Sequence, residues 1–193
     1  KGNNRKKTIL FLMGFYCDRN HFYFGYKREK LETLLWEFNY DILCLLKKYQ
    51  KKYNIIFKDY PNGSQNLWKR VLKDISANEI LFVSDEYSVN DLLRISDLNI
   101  IPWVSTTFFE ALYFDSDIFV IDEDLFEKHF EGNLKDEIFY FNNAKKFLLE
   151  IEKYLETGNF YTCVKKNSKN YYLKLDSLNK RDELLNDSLS KIN

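Results

Sequence analysis

EILFVSDEYSVNDLLRISDLNIIPWVSTTFFEALYFDSDIFVI, residues 79–121, is the stretch whose reading decides the fold. Residues 79–83, 98–101 and 117–121 are short apolar runs of strand length, and residues 89–95 and 107–113 between them carry helical spacing. Strands that alternate with short helices predict a parallel sheet, because a parallel neighbour is reached only through a crossover. The runs are mainly apolar rather than apolar at every second residue, as expected where helices cover both faces of the sheet.

The same alternation extends in both directions. Upstream, Thr8–Met13 reads as a buried first strand that ends at Gly14, where the backbone needs freedom. From Glu29 to Tyr53 apolar residues recur at three- and four-residue steps, predicting the longest helix, with Glu29 and Glu32 near its start and Lys47, Lys48, Lys51 and Lys52 near its end to match the macrodipole. Residues 54–57 read as a strand, Pro61-Asn62-Gly63-Ser64 as a turn, and residues 67–72 as a helix. Downstream, an apolar run at 138–141 precedes a helix over 143–156, which Gly158 is placed to end. The fold class expected is α/β, a Rossmann-like open parallel β-sheet with helices on both faces.

Composition limits the function. A chain of 193 residues with 45% hydrophobic content builds one well-buried core and is short for two full domains. Its 29 basic and 29 acidic residues balance, so no global field recruits nucleic acid, and any anion site must be local. Cys17, Cys44 and Cys163 are odd in number and far apart, which supports neither a disulfide framework nor a zinc site. A reducing, cytoplasmic setting is expected. No apolar run approaches the roughly 20 residues that span a bilayer.

Several motifs are missing. Only Gly14 follows the first strand where a dinucleotide fingerprint needs G-x-G-x-x-G, and neither a P-loop nor a G-x-S-x-G elbow is present. His21 and His129 lack the spacing of metal ligands, and the first strand does not end in the acidic residues of a phosphoacceptor domain. No metal or resident cofactor is expected.

Ligands of open parallel sheets bind at the carboxyl ends of the strands, where helix N-termini offer unpaired N–H groups. Ser105, Thr106 and Thr107 stand at such a position after residues 98–101, able to bring hydroxyl and amide donors to a phosphate, and Glu110 one turn on can accept from ribose hydroxyls. The same residues admit a purely structural reading, with Thr107-x-x-Glu110 as a capping box. Ser84 and Asp85 end the third strand on the side a nucleobase would occupy, or are turn residues. Gly14, Arg19 and Lys27 either face the cleft or are simply solvated, and Trp36 and Trp68 fit core or core-edge aromatics.

The order LLRISDLNIIPWVSTTFFEALYFDSDIFVID, residues 92–122, resembles the C-terminal, donor-binding domain of GT-B-fold glycosyltransferases. Within that group the chain is most similar to bacterial surface-carbohydrate biosynthesis transferases and to polyglycerol-phosphate glycerophosphotransferases and polysialyltransferase-like proteins. The resemblance covers roughly residues 8–157, with its motifs in 54–122. It implies that a serine/threonine pair, Ser105 and Thr106 with Thr107 as a further candidate, meets the donor diphosphate and that Glu110 meets the ribose. Related enzymes carry K-x-H-P after the second strand, with basic residues towards the phosphates; here the stretch is Lys58-Asp59-Tyr60-Pro61, with tyrosine in place of histidine. Tyr113-Phe114 stands where glycine or proline usually follows the EAL, and Pro102 occupies the position of the second glutamate of the commonest retaining type.

The resemblance implies one half of a GT-B fold, a donor-binding domain over 8–158, preceded by a polar linker or boundary segment over 1–7 and followed by an extension over 159–193 that is either a frayed end or a helical strap onto a missing N-terminal domain. A nucleotide-activated sugar is the expected substrate, an acceptor glycan or lipid-linked glycan and that N-terminal domain the expected partners, and the inner face of the membrane the expected place of work. No residue is assigned as catalytic base. The rival expectations are a non-catalytic nucleotide or nucleotide-sugar binding module, which Tyr60 favours, and a fragment that supplies only an interaction surface.

Overall fold

A computed structural model describes residues 5–13, 27–59, 65–84, 86–102, 106–121, 138–141 and 143–161, with backbone alone for 27–35, 65, 106 and 140. Its strands are β1 (Thr8–Leu12), β2 (Asn54–Lys58), β3 (Ile80–Val83), β4 (Leu98–Ile101), β5 (Asp117–Ile121) and β6 (Phe139–Phe141). Its helices are α1 (Lys27–Lys48), α2 (Gln65–Asp74), α3 (Val89–Ile95), α4 (Thr106–Ala111) and α5 (Ala144–Thr157). The strands form one sheet in the order β3-β2-β1-β4-β5-β6, and every neighbouring pair is parallel. This is the strand order of the Rossmann fold.

The strand sequences explain why the sheet is covered on both sides. Side chains alternate between faces with a period of two. Ile9, Phe11, Ile55, Phe57, Leu98, Ile100, Phe119 and Ile121 therefore enter one core, with Ile42, Leu43 and Leu46 of α1, Trp68 of α2, and Phe147 and Ile151 of α5. Leu10, Leu12, Ile56, Ile101, Ile118 and Val120 enter the other, with Leu92 and Leu93 of α3 and Phe108 and Ala111 of α4. All five residues of β1 and all five of β5 are buried, as a strand sandwiched between two helical layers requires. Removing such side chains from water stabilises by roughly 1.5–3 kcal/mol for each large one.

Trp68 is the largest fully buried side chain. It stacks obliquely on Trp36 at 4.6 Å and meets Phe57 edge-on at 5.5 Å, so both tryptophans serve the core, as their helical spacing implied.

The helix over 29–53 ends earlier than its periodicity suggested. Regular helix stops at Lys48, and Tyr49–Tyr53 turn back towards β2, with Lys52 and Tyr53 each donating a main-chain hydrogen bond to Tyr49 O. The apolar spacing continues through the turn because the Tyr53 ring is still buried, its hydroxyl bonded to Leu155 O of α5 at 2.6 Å. The end of α5 falls where Gly158 predicted it. Gly158 is left-handed, with φ of 68°, and its N–H closes the last turn onto Tyr154 O. At the other end the Asn143 side chain accepts the Lys146 N–H.

Polar side chains inside the sheet are paired. Asn99 of β4 points into the core of α3 and α4, where its carbonyl accepts Ser96 Oγ at 2.7 Å and its amide donates to Ser116 Oγ. At the amino edge Asp97, just before β4, and Asp117, the first residue of β5, are both essentially inaccessible. No helix of the described residues is long and apolar enough to cross a membrane.

Candidate functional site

Strand order locates the crevice. From β1 the chain runs outward through α1, β2, α2 and β3, then crosses back through α3 to β4 on the other side of β1. The helix that follows β1 packs on one face of the sheet and the helix that follows β4 on the other. The strand order therefore puts the topological switch point, at which open α/β sheets bind ligands, at the carboxyl ends of β1 and β4.

Around this point stand Met13 and Pro102, which continue β1 and β4, with the ends of β2 and β3 beside them. Hydrogen bonds from Met13 N to Lys58 O at 3.0 Å and from Asp59 N to Val83 O at 3.1 Å carry the ladder one residue past the strand ends. That edge is consequently rigid.

The residues singled out from the sequence fall into three groups. Thr106 and Thr107 open α4 directly after β4, and Glu110 lies one turn along the same helix, half-buried. No hydrogen bond or ion pair engages the Glu110 carboxylate among the described residues. Because helix begins at Thr106, Thr107 is its second residue and not its cap, so the Thr107-x-x-Glu110 capping box does not form.

Lys58 and Ser84 make a second group, at the ends of β2 and β3. Lys58 is only 4% exposed, and its Nζ donates to the Ser84 carbonyl, bridging the two strands. Ser84 gives its main-chain N–H and its hydroxyl to the Glu86 carboxylate, at 2.8 and 2.9 Å. The Glu86 carboxyl is held below the usual range by its own backbone N–H first, then by the Ser84 N–H and hydroxyl. Ser84 is thus part of a closed polar turn as well as a neighbour of the crevice. The third group, Gly14, Arg19, Asp85 and Ser105, lies outside the described residues.

Two acidic residues of this edge escaped the sequence reading. Asp59 directly follows β2 and is 1% exposed, and Glu86 organises the turn after β3. The signal for Asp59 was its position immediately after an apolar strand, where a carboxylate is costly to bury without a task.

Chemically, the carboxyl edge carries a buried ammonium, a half-buried carboxylate and the first turn of a helix. Such a set can bind an anion and hydroxyl groups. No family model matches the chain, and no curated protein is significantly similar to it.

Proposed function

We propose that this domain binds a nucleotide-activated donor, a sugar or polyol phosphate, for a glycosyltransferase or glycerophosphotransferase-like enzyme of surface-glycan synthesis. The observation that carries the reading is the strand order, which puts the switch point between β1 and β4 beside the Thr106–Glu110 helix. Thr106, Thr107 and Ser105 would meet the donor diphosphate, with Lys58 supplying positive charge from the end of β2. Glu110 would accept from the ribose diol. During transfer the same donors would stabilise the negative charge that grows on the departing nucleotide. The acceptor and the base would come from a partner domain.

A second reading, a binding module without transfer chemistry, is favoured by one observation. Lys58 is buried and already bonded to the Ser84 carbonyl, which fits a strand-bridging role as well as a phosphate contact.

Thermal-shift titration with UDP-, GDP-, CMP- and CDP-linked donors tests binding. At least one donor raises the melting temperature at millimolar concentration, and Ser105→Ala and Glu110→Ala weaken the effect. A domain that no nucleotide stabilises does not bind donors. A nucleotide that stabilises the domain equally with and without its sugar supports the binding-module reading.

A further inference from the structure

At the pole opposite the crevice, two buried carboxylates hold a short segment of chain. Asp97 directly precedes β4 and Asp117 opens β5, and both are at most 1% exposed. The Asp97 carboxylate accepts Thr8 N at 2.7 Å, Arg5 Nη2 at 2.8 Å, Lys7 Nζ at 3.4 Å and the Tyr161 hydroxyl. Asp117 Oδ2 accepts Tyr161 N at 2.6 Å and the Tyr154 hydroxyl. The residue common to both is Tyr161, four residues beyond the end of α5.

Tyr161 reaches this position at a cost. Its φ is 64°, in the left-handed region that a tyrosine rarely adopts, and its side chain remains half in solvent. Contacts on the amino edge hold it there: the two carboxylates, and Lys7 Nζ 4.4 Å from the centre of its ring. Phe160 beside it lies against Tyr53 and Tyr154 at 5.4 and 5.2 Å.

Release would not strand a buried charge. Without Tyr161, Asp97 keeps Thr8 N, Arg5 and Lys7, and Asp117 keeps the Tyr154 hydroxyl. Breaking one side of a buried charge pair is severe when the charge is left bare, and here it is not. Opening also relieves the backbone strain.

We propose that Gly158–Tyr161 is a latch, closed over the Asp97 and Asp117 carboxylates and able to open without unfolding the sheet. Closed, it ties the segment that enters β1 to the segment that leaves α5, through one shared carboxylate. Any part of the polypeptide attached beyond either segment is thereby positioned relative to the other, on the side of the sheet away from the ligand crevice. Opening frees the two to move apart while the domain stays folded.

Hydrogen–deuterium exchange on the full chain tests this, with Tyr161→Phe, which removes the hydroxyl and keeps the ring, and Tyr161→Gly, which removes both and relieves the φ. Loss of a hydrogen bond to a charged acceptor predicts exchange at residues 158–161 about tenfold faster in Tyr161→Phe, while residues 9–11 and 98–100 exchange as before. Tyr161→Gly loosens the same segment and again leaves the strands unchanged. If residues 158–161 exchange only together with the strands, in every variant, the segment is part of the core and there is no latch. If Tyr161→Phe leaves their exchange unchanged, the Asp97 contact does not hold the segment, and the proposal fails as well.

Discussion

The ammonium of Lys58 donates to the main-chain carbonyl of Ser84, joining the carboxyl ends of β2 and β3 beneath the crevice. A lysine so placed brings positive charge to the carboxyl edge of the sheet and pins two strands together. The roles separate on substitution to methionine, which keeps the length and apolar stem. Lys58→Met is expected to weaken binding of a nucleotide diphosphate donor about tenfold, one charge-assisted contact, while the parent nucleoside binds unchanged. Calorimetric titration with both ligands checks it, and an equal loss for both would assign Lys58 to strand bridging alone.

The pairing of Trp68 with Trp36 and Phe57 predicts where stability is concentrated. Trp68→Ala empties the largest fully buried site and should cost about 3–5 kcal/mol in urea unfolding, whereas Trp68→Phe should cost clearly less. A loss under 1 kcal/mol in Trp68→Ala would mean that α2 does not pack on the sheet as described.

Asn99 carries a polar chain from Ser96 to Ser116 through an otherwise apolar core. Asn99→Leu leaves the Ser116 hydroxyl without that partner and is expected to destabilise by about 1–3 kcal/mol despite the greater hydrophobicity. Pairing Asn99→Leu with Ser116→Ala should recover part of the loss, which a double-mutant cycle in urea measures.

The amino edge predicts an acid limb. Burial pushes the Asp97 carboxyl upward, but the Tyr161 hydroxyl, the Thr8 N–H and the charges of Lys7 and Arg5 outweigh it and hold the group below the ordinary carboxylate range. Its contribution is therefore present above the unfolded value of about 4 and is lost as pH falls through the lower folded value. Burial first, then the hydrogen bond and charge of Asp97, raise the Tyr161 phenol, so its contribution is complete below pH of about 10 and is lost as pH rises through the raised folded value. Stability measured from pH 2 to pH 11 should decline at both ends. In Asp97→Asn, the protein should be less stable at neutral pH and the acid decline shallower; an unchanged acid limb would remove Asp97 from the account.

The sequence made some of this visible and hid the rest for physical reasons. Strand positions were legible because each strand is a short, mainly apolar run, and the α5 terminus because Gly158 supplies a left-handed residue. The α1 terminus was misread because burial of Tyr53 in a turn mimics another helical step. Strand order was not legible, since the pairing of β1 with β4 joins residues some 90 positions apart in the chain and no local pattern encodes it. Thr107 looked like a helix cap because the first turn cannot be located from spacing alone, and helix in fact begins at Thr106. Asp97 was read as one letter of a motif. Its role is structural: directly before β4 it gathers Arg5, Lys7, the Thr8 N–H and Tyr161, as Asp117 at the start of β5 gathers Tyr154 and Tyr161.

The central claim is that the switch point between β1 and β4 binds a nucleotide-activated donor. Backbone-amide NMR during titration with UDP-glucose, and with GDP-, CMP- and CDP-linked donors in turn, tests it most directly. The account predicts saturable shifts for at least one donor at Met13, Lys58, Ser84 and residues 106–110, with Asp97 and Asp117 at the opposite edge unmoved. Shifts confined to the amino edge, or none with any donor at millimolar concentration, would contradict it.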